Sequence, residues 1–257
     1  MLDFSRLTWP EIKDTIPRLD ALLLPLGSIE QHGFHLPVNN DYYTARELAG
    51  IIQKKGEEEG LTLAVSFSLP VGCSHHHMAF PGTVSLSEET FSQVLGEILE
   101  SYNQHGIRRV FIVNGHGGNA PGIEKALIKA REDGTWDMLE PFHYWDTFKE
   151  KGSEILESGH YFHACEGETS LALALKQRVL MEKAVNSLEE NADLKRLNIL
   201  EMEDIFVPPF HHLTKSGVIG NSKAADKEKG EKLIEIITSE AVKVIKENLV
   251  LNGKTAG

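Results

Sequence analysis

Two kinds of hydrophobic pattern alternate along the chain. Short unbroken apolar runs that end at turn residues predict buried strands: Ala21-Leu22-Leu23-Leu24-Pro25-Leu26 before Gly27, residues 61–67, Val110-Phe111-Ile112-Val113 before Asn114-Gly115, and a further strand near Met138. Between these runs apolar residues return at helical spacing. Leu48, Ile51 and Ile52 predict a helix over 43–52, and Phe91, Val94, Leu95, Ile98, Leu99 and Tyr102 predict a second, with Ser85 and Glu88 spaced as its capping box. Helix follows again from about Pro121, from Thr169 through Leu173 and Leu175, and through Leu233, Ile234, Ile237, Ala241, Val244 and Ile245. Such alternation predicts a layered α/β fold with a largely parallel sheet. No internal repeat or low-complexity stretch interrupts it, and the charge-rich segments 56–60 and 191–196 are too short for linkers, so one domain is expected over 1–257.

Charge narrows the partners. The 257 residues hold 26 Lys and Arg against 38 Asp and Glu, a formal net charge of -12, with no local basic concentration, so a phosphate backbone is repelled and nucleic acid is not expected. The longest apolar run, Ala21 to Leu26, is far short of a membrane span, and the N-terminus lacks a basic start followed by an apolar stretch, which predicts a cytoplasmic protein without membrane contact. Cys73 and Cys165 are the two cysteines, so no disulfide framework is indicated; both read as small buried residues. Twelve histidines are the unusual feature, because several stand beside carboxylates.

Four polar clusters fall where predicted strands end, the place where open α/β sheets bind ligands. In the first, Gly27-Ser28-Ile29-Glu30-Gln31-His32-Gly33 leads through His35-Leu36-Pro37 to Asp41. Glu30 and His32 leave the same face of an extended segment, and carboxylate with imidazole suits Zn, Mn or Fe better than Mg or Ca. The second, Asn114-Gly115-His116-Gly117-Gly118-Asn119, is a tight turn carrying one histidine; it lacks the Lys and Ser or Thr of a phosphate loop. The third runs from His163 through Ala164-Cys165-Glu166-Gly167 to Glu168-Thr169-Ser170, where the acids are also favoured at a helix start. The fourth holds His75-His76-His77 before Phe80-Pro81-Gly82-Thr83, and neighbouring histidines of one strand do not share a metal.

Taken together these motifs resemble the creatininase (creatinine amidohydrolase) family over almost the whole chain, with Gly217-Val218-Ile219-Gly220 similar to the family's C-terminal glycine motif. The resemblance implies a three-layer α/β/α fold, a homo-oligomer that is usually a hexamer, and a site for two divalent ions. On it, Glu30 and His116 hold one ion, His32 the other, and Asp41 bridges both. Creatininase itself carries a metal-ligating glutamate where this chain has Gly118, and Glu168 is the replacement expected here. His163 is expected as proton donor or shuttle, and His76, His77 and Asn119 at the substrate.

The activity so implied is metal-assisted hydrolysis of a small polar metabolite by an activated water, at a cyclic amide or formamide C–N bond. Members of the family act on creatinine, a formylamino-pyrimidine nucleotide, a peptide precursor and a keto-inositol, so the fold does not name the substrate. Gly118 argues against creatinine, and the lack of an Arg or Lys cluster beside the motifs argues against a phosphorylated nucleotide. Three rivals stand beside this reading: ring-opening C–C hydrolysis of a keto-inositol, a non-catalytic metal- or ligand-binding protein on the same fold, and a cysteine hydrolase using Cys165 with His163.

Overall fold

A computed structural model describes residues 2–133, 135–199 and 208–251. Its helices are α1 (Trp9–Thr15), α2 (Asn40–Glu58), α3 (Glu88–Gln104), α4 (Ala120–Asp133), α5 (Thr147–Lys151), α6 (Glu166–Ala174), α7 (Ser187–Glu190), α8 (Phe210–Leu213) and α9 (Lys227–Leu251). The strands are β1 (Ala21–Leu26), β2 (Leu63–Val65), β3 (Arg109–Asn114) and β4 (Met138–His143), joined in the order β2-β1-β3-β4 with every pairing parallel. Among the described residues no helix is long and apolar enough to cross a membrane.

Side chains alternate across β1 and β3, and each face builds its own core. Leu23, Phe111 and Val113 pack with Leu48 and Ile52 of α2, Leu171 of α6, and Leu233, Ile237, Ala241 and Ile245 of α9. On the other face, Leu22, Leu24, Leu26, Val110 and Ile112 meet Phe91, Leu95 and Leu99 of α3 and Ile123 and Leu127 of α4. The result is the expected three-layer α/β/α arrangement. Burial on both faces also explains why β1 and β3 read as continuous apolar runs rather than alternating ones.

Several boundaries differ from the sequence reading. Strand β2 spans three residues, not 61–67, because beyond Val65 it would face Pro25, which has no N–H to donate; the chain returns only to pair Leu69 with Pro25 and Gly27. Helix α3 is capped by Ser87, which accepts from the Thr90 N–H, and not by Ser85. Ser85 Oγ instead accepts from Ser74 N at 2.8 Å. Helix α6 begins at Glu166, three residues before Thr169.

Strand order dictates where a ligand can sit. From β1 the chain crosses to β2 on one side, and β3 lies on the other, so the loops leaving β1 and β3 diverge and open a crevice between them. Helix α6, which borders it, is held from behind. Fully buried Glu166 accepts from the backbone N–H groups of Glu157 and Ser158 and pairs with Lys229 Nζ at 2.7 Å, tying α6 to α9 and to the loop before it.

Contact between α6 and α9 depends on Gly230, where an added Cβ would lie 1.9 Å from the Ser170 carbonyl oxygen. Helix propensity alone favours alanine over glycine by about 1 kcal/mol. Overpacking a core costs about 1–3 kcal/mol, and backbone oxygen yields less than a side chain. Gly230→Ala is therefore expected to destabilise the protein by up to about 2 kcal/mol in urea unfolding; a higher midpoint than the parent would show that the two helices are not so closely apposed.

Candidate metal centre

The crevice is closed from below by two glycines. An added Cβ at Gly27, which follows β1, would lie 2.3 Å from Tyr42 Cα, and one at Gly115, which follows β3, would lie 2.5 Å from the Asp41 carbonyl oxygen. Both strand ends thus press directly on the first turn of α2, which carries Asp41. That approach places the Asp41 carboxylate between two histidines. Its Oδ1 is 2.8 Å from His32 Nε2 and its Oδ2 is 3.2 Å from His116 Nδ1.

The remaining expected ligands converge on the same point. Glu30 Oε2 lies 3.2 Å from His116 Nε2, and Glu168 Oε2 lies 3.8 Å from His32 Nε2. His163 Nδ1 is 3.7 Å and His77 Nε2 is 3.2 Å from Glu30 Oε1. Ligand atoms of Glu30, His32 and Asp41 fall within 4.8 Å of one another, as do those of His32, His163 and Glu168. Glu168 is aimed by Ala164, whose left-handed φ of 49° turns its N–H onto Glu168 Oε2 at 2.5 Å.

Electrostatics test whether a cation belongs here. Glu30, Asp41 and Glu168 are buried together, and none of the three is paired with a Lys or Arg among the described residues. Glu30 Oε1, His32 Nε2 and Asp41 Oδ2 are buried without a hydrogen-bond partner, since the short contacts around them are not aligned for one. Burial drives Glu30 above the usual carboxylate range and raises Glu168 to about 7. Burial also opposes charge on Asp41, His32 and His116, but their mutual contacts outweigh it: Asp41 is lowered, His32 is raised to about 10, and His116, facing Glu30 and Asp41, to about 9. A buried cluster of acids whose only counter-charge is protonated imidazole is a donor set suited to divalent cations, which replace those protons.

Other expected residues are placed differently. Asn119, expected at the substrate, is fully buried: Oδ1 accepts from Cys73 N at 2.9 Å, and Nδ2 donates to Gly27 O at 3.0 Å and Asn114 Oδ1 at 3.3 Å. Its amide is consumed in tying three loops together, and it does not line the cavity. His76 and His77 both line the cavity; His76 stacks on His116 at 5.6 Å, and His77 also sits against Glu30 and Gln31. At Gly118 a Cβ would lie 2.2 Å from Cys73 O and 2.5 Å from His116 Nε2, so no side chain is accommodated there. Burial pushes the Cys73 thiol up to about 11 and the Cys165 thiol to about 12, which keeps both protonated at neutral pH and removes the basis for a cysteine nucleophile.

The cavity above the cluster has a volume of about 720 Å³. It is lined by His77, His116, His163 and Glu168, by Glu124, Leu127 and Arg131 of α4, and by His143, Trp145 and Lys149. Sequence reading found no Arg or Lys cluster beside the motifs, yet the fold brings Arg131 and Lys149 to the lining of the cavity. Lys149 stands 3.4 Å from Asp146, which also lines the cavity, so the lining is of mixed charge. Residues without any sequence signal are those of α4, Trp145 and Phe210; Gln31 lay within the first motif with no role assigned.

A family model described as creatinine amidohydrolase matches residues 5–245. The chain belongs to the creatininase family. Creatinine amidohydrolase of Pseudomonas putida is 27% identical over 264 residues, covering 95% of each chain. The 3-dehydro-scyllo-inosose hydrolase of Thermotoga maritima is 23% identical, covering 95% of this chain and 82% of the relative, and the mycofactocin precursor peptide peptidase of Mycolicibacterium smegmatis is 37% identical over 114 residues, covering 44% of this chain and 46% of the relative. Creatininase with Mn superposes with a TM-score of 0.74 at 26% identity, covering 96% of this chain and 98% of that one, and a Zn–Zn form gives 0.73 at 26% over 95% and 97%. This creatininase-family chain is accordingly a metal-binding hydrolase.

Proton linkage follows from the histidine shifts. With His32 at about 10 and His116 at about 9, both rings are protonated at pH 8 in the metal-free protein. Metal binding should therefore release about two protons per chain at that pH and strengthen as pH rises toward 9–10. Calorimetric titration with zinc in buffers of different ionisation heat reads the number, and zero release would show that the rings are neutral beforehand. By the same shifts, this contribution to metal-free stability is complete below the unfolded imidazole pKa of about 6.5 and is lost as pH rises through 9 and 10.

Proposed function

We propose that the chain hydrolyses a C–N bond of a small polar metabolite, a cyclic amide or formamide, at a centre of two divalent ions, Zn, Mn or Fe. The observation that carries this is the Asp41 carboxylate, with one oxygen toward His32 and the other toward His116. Glu30, Asp41 and His116 would hold one ion, and His32, Asp41 and Glu168 the other. With no space for a side chain at Gly118, Glu168 takes over the ligand position that creatininase fills from there. When bound, such ions lower the pKa of a water and polarise a carbonyl.

The chain's own groups supply the rest. Burial holds His163 well below the ordinary imidazole pKa, so it enters the cycle neutral, as a proton acceptor at Nδ1, and returns that proton to the leaving nitrogen. His76, Trp145 and Phe210 line the same cavity, as do Arg131 and Lys149. The cavity is within the range of drug-sized ligand sites, so the substrate is not confined to a single five-membered ring. The same reading has the protein act on a free metabolite as a cytoplasmic homo-oligomer.

A second reading, ring-opening of a cyclic ketone, is favoured by one finding: the inosose hydrolase aligns over 95% of this chain, as fully as the creatinine amidohydrolase. Assaying the zinc-loaded and manganese-loaded protein against cyclic amides, formamides and keto-inositols separates the two by product.

Variants test the ligand and proton roles apart. Asp41→Asn should lower occupancy of both ions in elemental analysis, and Glu168→Gln should lower one; full dual occupancy in Asp41→Asn would remove the bridge. His163→Ala should retain both ions while kcat falls by roughly 10²–10⁴. A His163→Ala protein that loses metal, or turns over normally, sinks the shuttle assignment.

A further inference from the structure

Gln31 lies between Glu30 and His32, buried, and the orientation of its amide is fixed twice over. Oε1 accepts the Gly33 N–H at 2.9 Å, and Nε2 donates to the Gly217 carbonyl at 3.1 Å. A flipped amide would present the wrong group to both. Gly217, at a φ of +80°, closes on it so tightly that an added Cβ would lie 1.8 Å from Gln31 Oε1.

One amide N–H remains, with His77 Nδ1 at 2.8 Å and His163 Nε2 at 2.9 Å. The main-chain carbonyl of Gln31 decides between them. It lies 2.9 Å from His163 Nε2, and a carbonyl oxygen only accepts, so His163 Nε2 carries hydrogen and cannot receive the amide N–H. That N–H goes to His77 Nδ1. Neutral His77 then has its hydrogen on Nε2, facing Glu30 Oε1 at 3.2 Å, while His163 presents a bare Nδ1 toward the same oxygen at 3.7 Å.

We infer that Gln31 is a positioning residue that sets the tautomers of two histidines at once. Its main chain keeps the His163 lone pair on Nδ1, and its side chain keeps the His77 hydrogen on Nε2. The two settings are complementary. Hydrogen on His77 Nε2, 3.2 Å from Glu30 Oε1 but not aligned as a hydrogen bond, sets the positive end of the ring dipole beside the carboxylate, while Oε2 accepts from Ser28 Oγ at 3.0 Å and lies 3.2 Å from His116 Nε2.

The effect on turnover rests on the hydrolase reading above, whereas the tautomers themselves are observable without any substrate. The test is ¹⁵N solid-state NMR of the zinc-loaded protein labelled at histidine, the two rings being assigned by loss of signal in His77→Asn and His163→Asn. Both rings are expected as the Nε2–H tautomer. In Gln31→Met, which keeps the length and removes the donor, the His77 signal should leave that tautomer while His163, bound by main chain, keeps it. Zinc content should hold, and kcat should fall by roughly 10–100-fold with KM little changed. Hydrogen on Nδ1 of either ring in the parent protein overturns the inference, and that spectrum decides even if Gln31→Met fails to fold. An unchanged His77 tautomer in Gln31→Met overturns it equally. Failure of the hydrolase reading would look different: the tautomers as expected, but no turnover of any compound tried.

Discussion

Three carboxylates, Glu30, Asp41 and Glu168, are buried within contact of His32, His116, His77 and His163 and away from any Lys or Arg partner among the described residues. Removing a carboxylate from water costs several kcal/mol even after relaxation, so such a group persists only where opposite charge is brought to it and held there. Protonated His32 and His116 meet that demand in the metal-free chain, and divalent ions meet it better because one ion satisfies several oxygens and nitrogens together. The cluster is thus both the chief electrostatic liability of the fold and the reason the fold can bind metal.

Everything around the cluster serves to keep it from relaxing. Gly27 and Gly115 let two strand ends rest on the first turn of α2, which fixes Asp41; a side chain at either position would push the helix away. Asn119 ties the loops after β1 and β3 to the segment bearing Cys73. On the opposite side Glu166 and Lys229 hold the loop and helix that carry His163 and Glu168, and left-handed Ala164 turns the final carboxylate inward. Backbone strain of this kind costs about 1–3 kcal/mol and is sustained by the complete burial of its surroundings. Sequence-distant elements therefore share one constraint: every donor atom must be set by more than its own rotamer.

Gln31 extends the same logic to hydrogen positions. A histidine ring is a useful acceptor only with its lone pair on the correct nitrogen, and a single residue supplies both the carbonyl and the amide that settle this for His163 and His77. Gly118 shows the converse. Beside His116 and Cys73 it leaves no space for a side chain, so no ligand reaches the cluster from that position.

The sequence by itself determined the α/β class, the core strands and helices, and the family, because unbroken apolar runs, helical spacing and short glycine- and histidine-bearing motifs are local signals. Ser85, Thr169 and the 61–67 run were misread since the cap, the helix start and the strand length depend on what the neighbouring chain offers: Ser74 takes Ser85, α6 extends back to Glu166, and Pro25 has no donor for a longer β2. Asn119 carried the polarity of a substrate contact, and only packing shows its amide spent on backbone. Arg131, Trp145 and Lys149 lie outside every motif, and the path of the chain brings them to one cavity. Tertiary structure also decided the tautomers of His77 and His163, since a tautomer is fixed by the partner of a ring nitrogen, and for both rings that partner is Gln31.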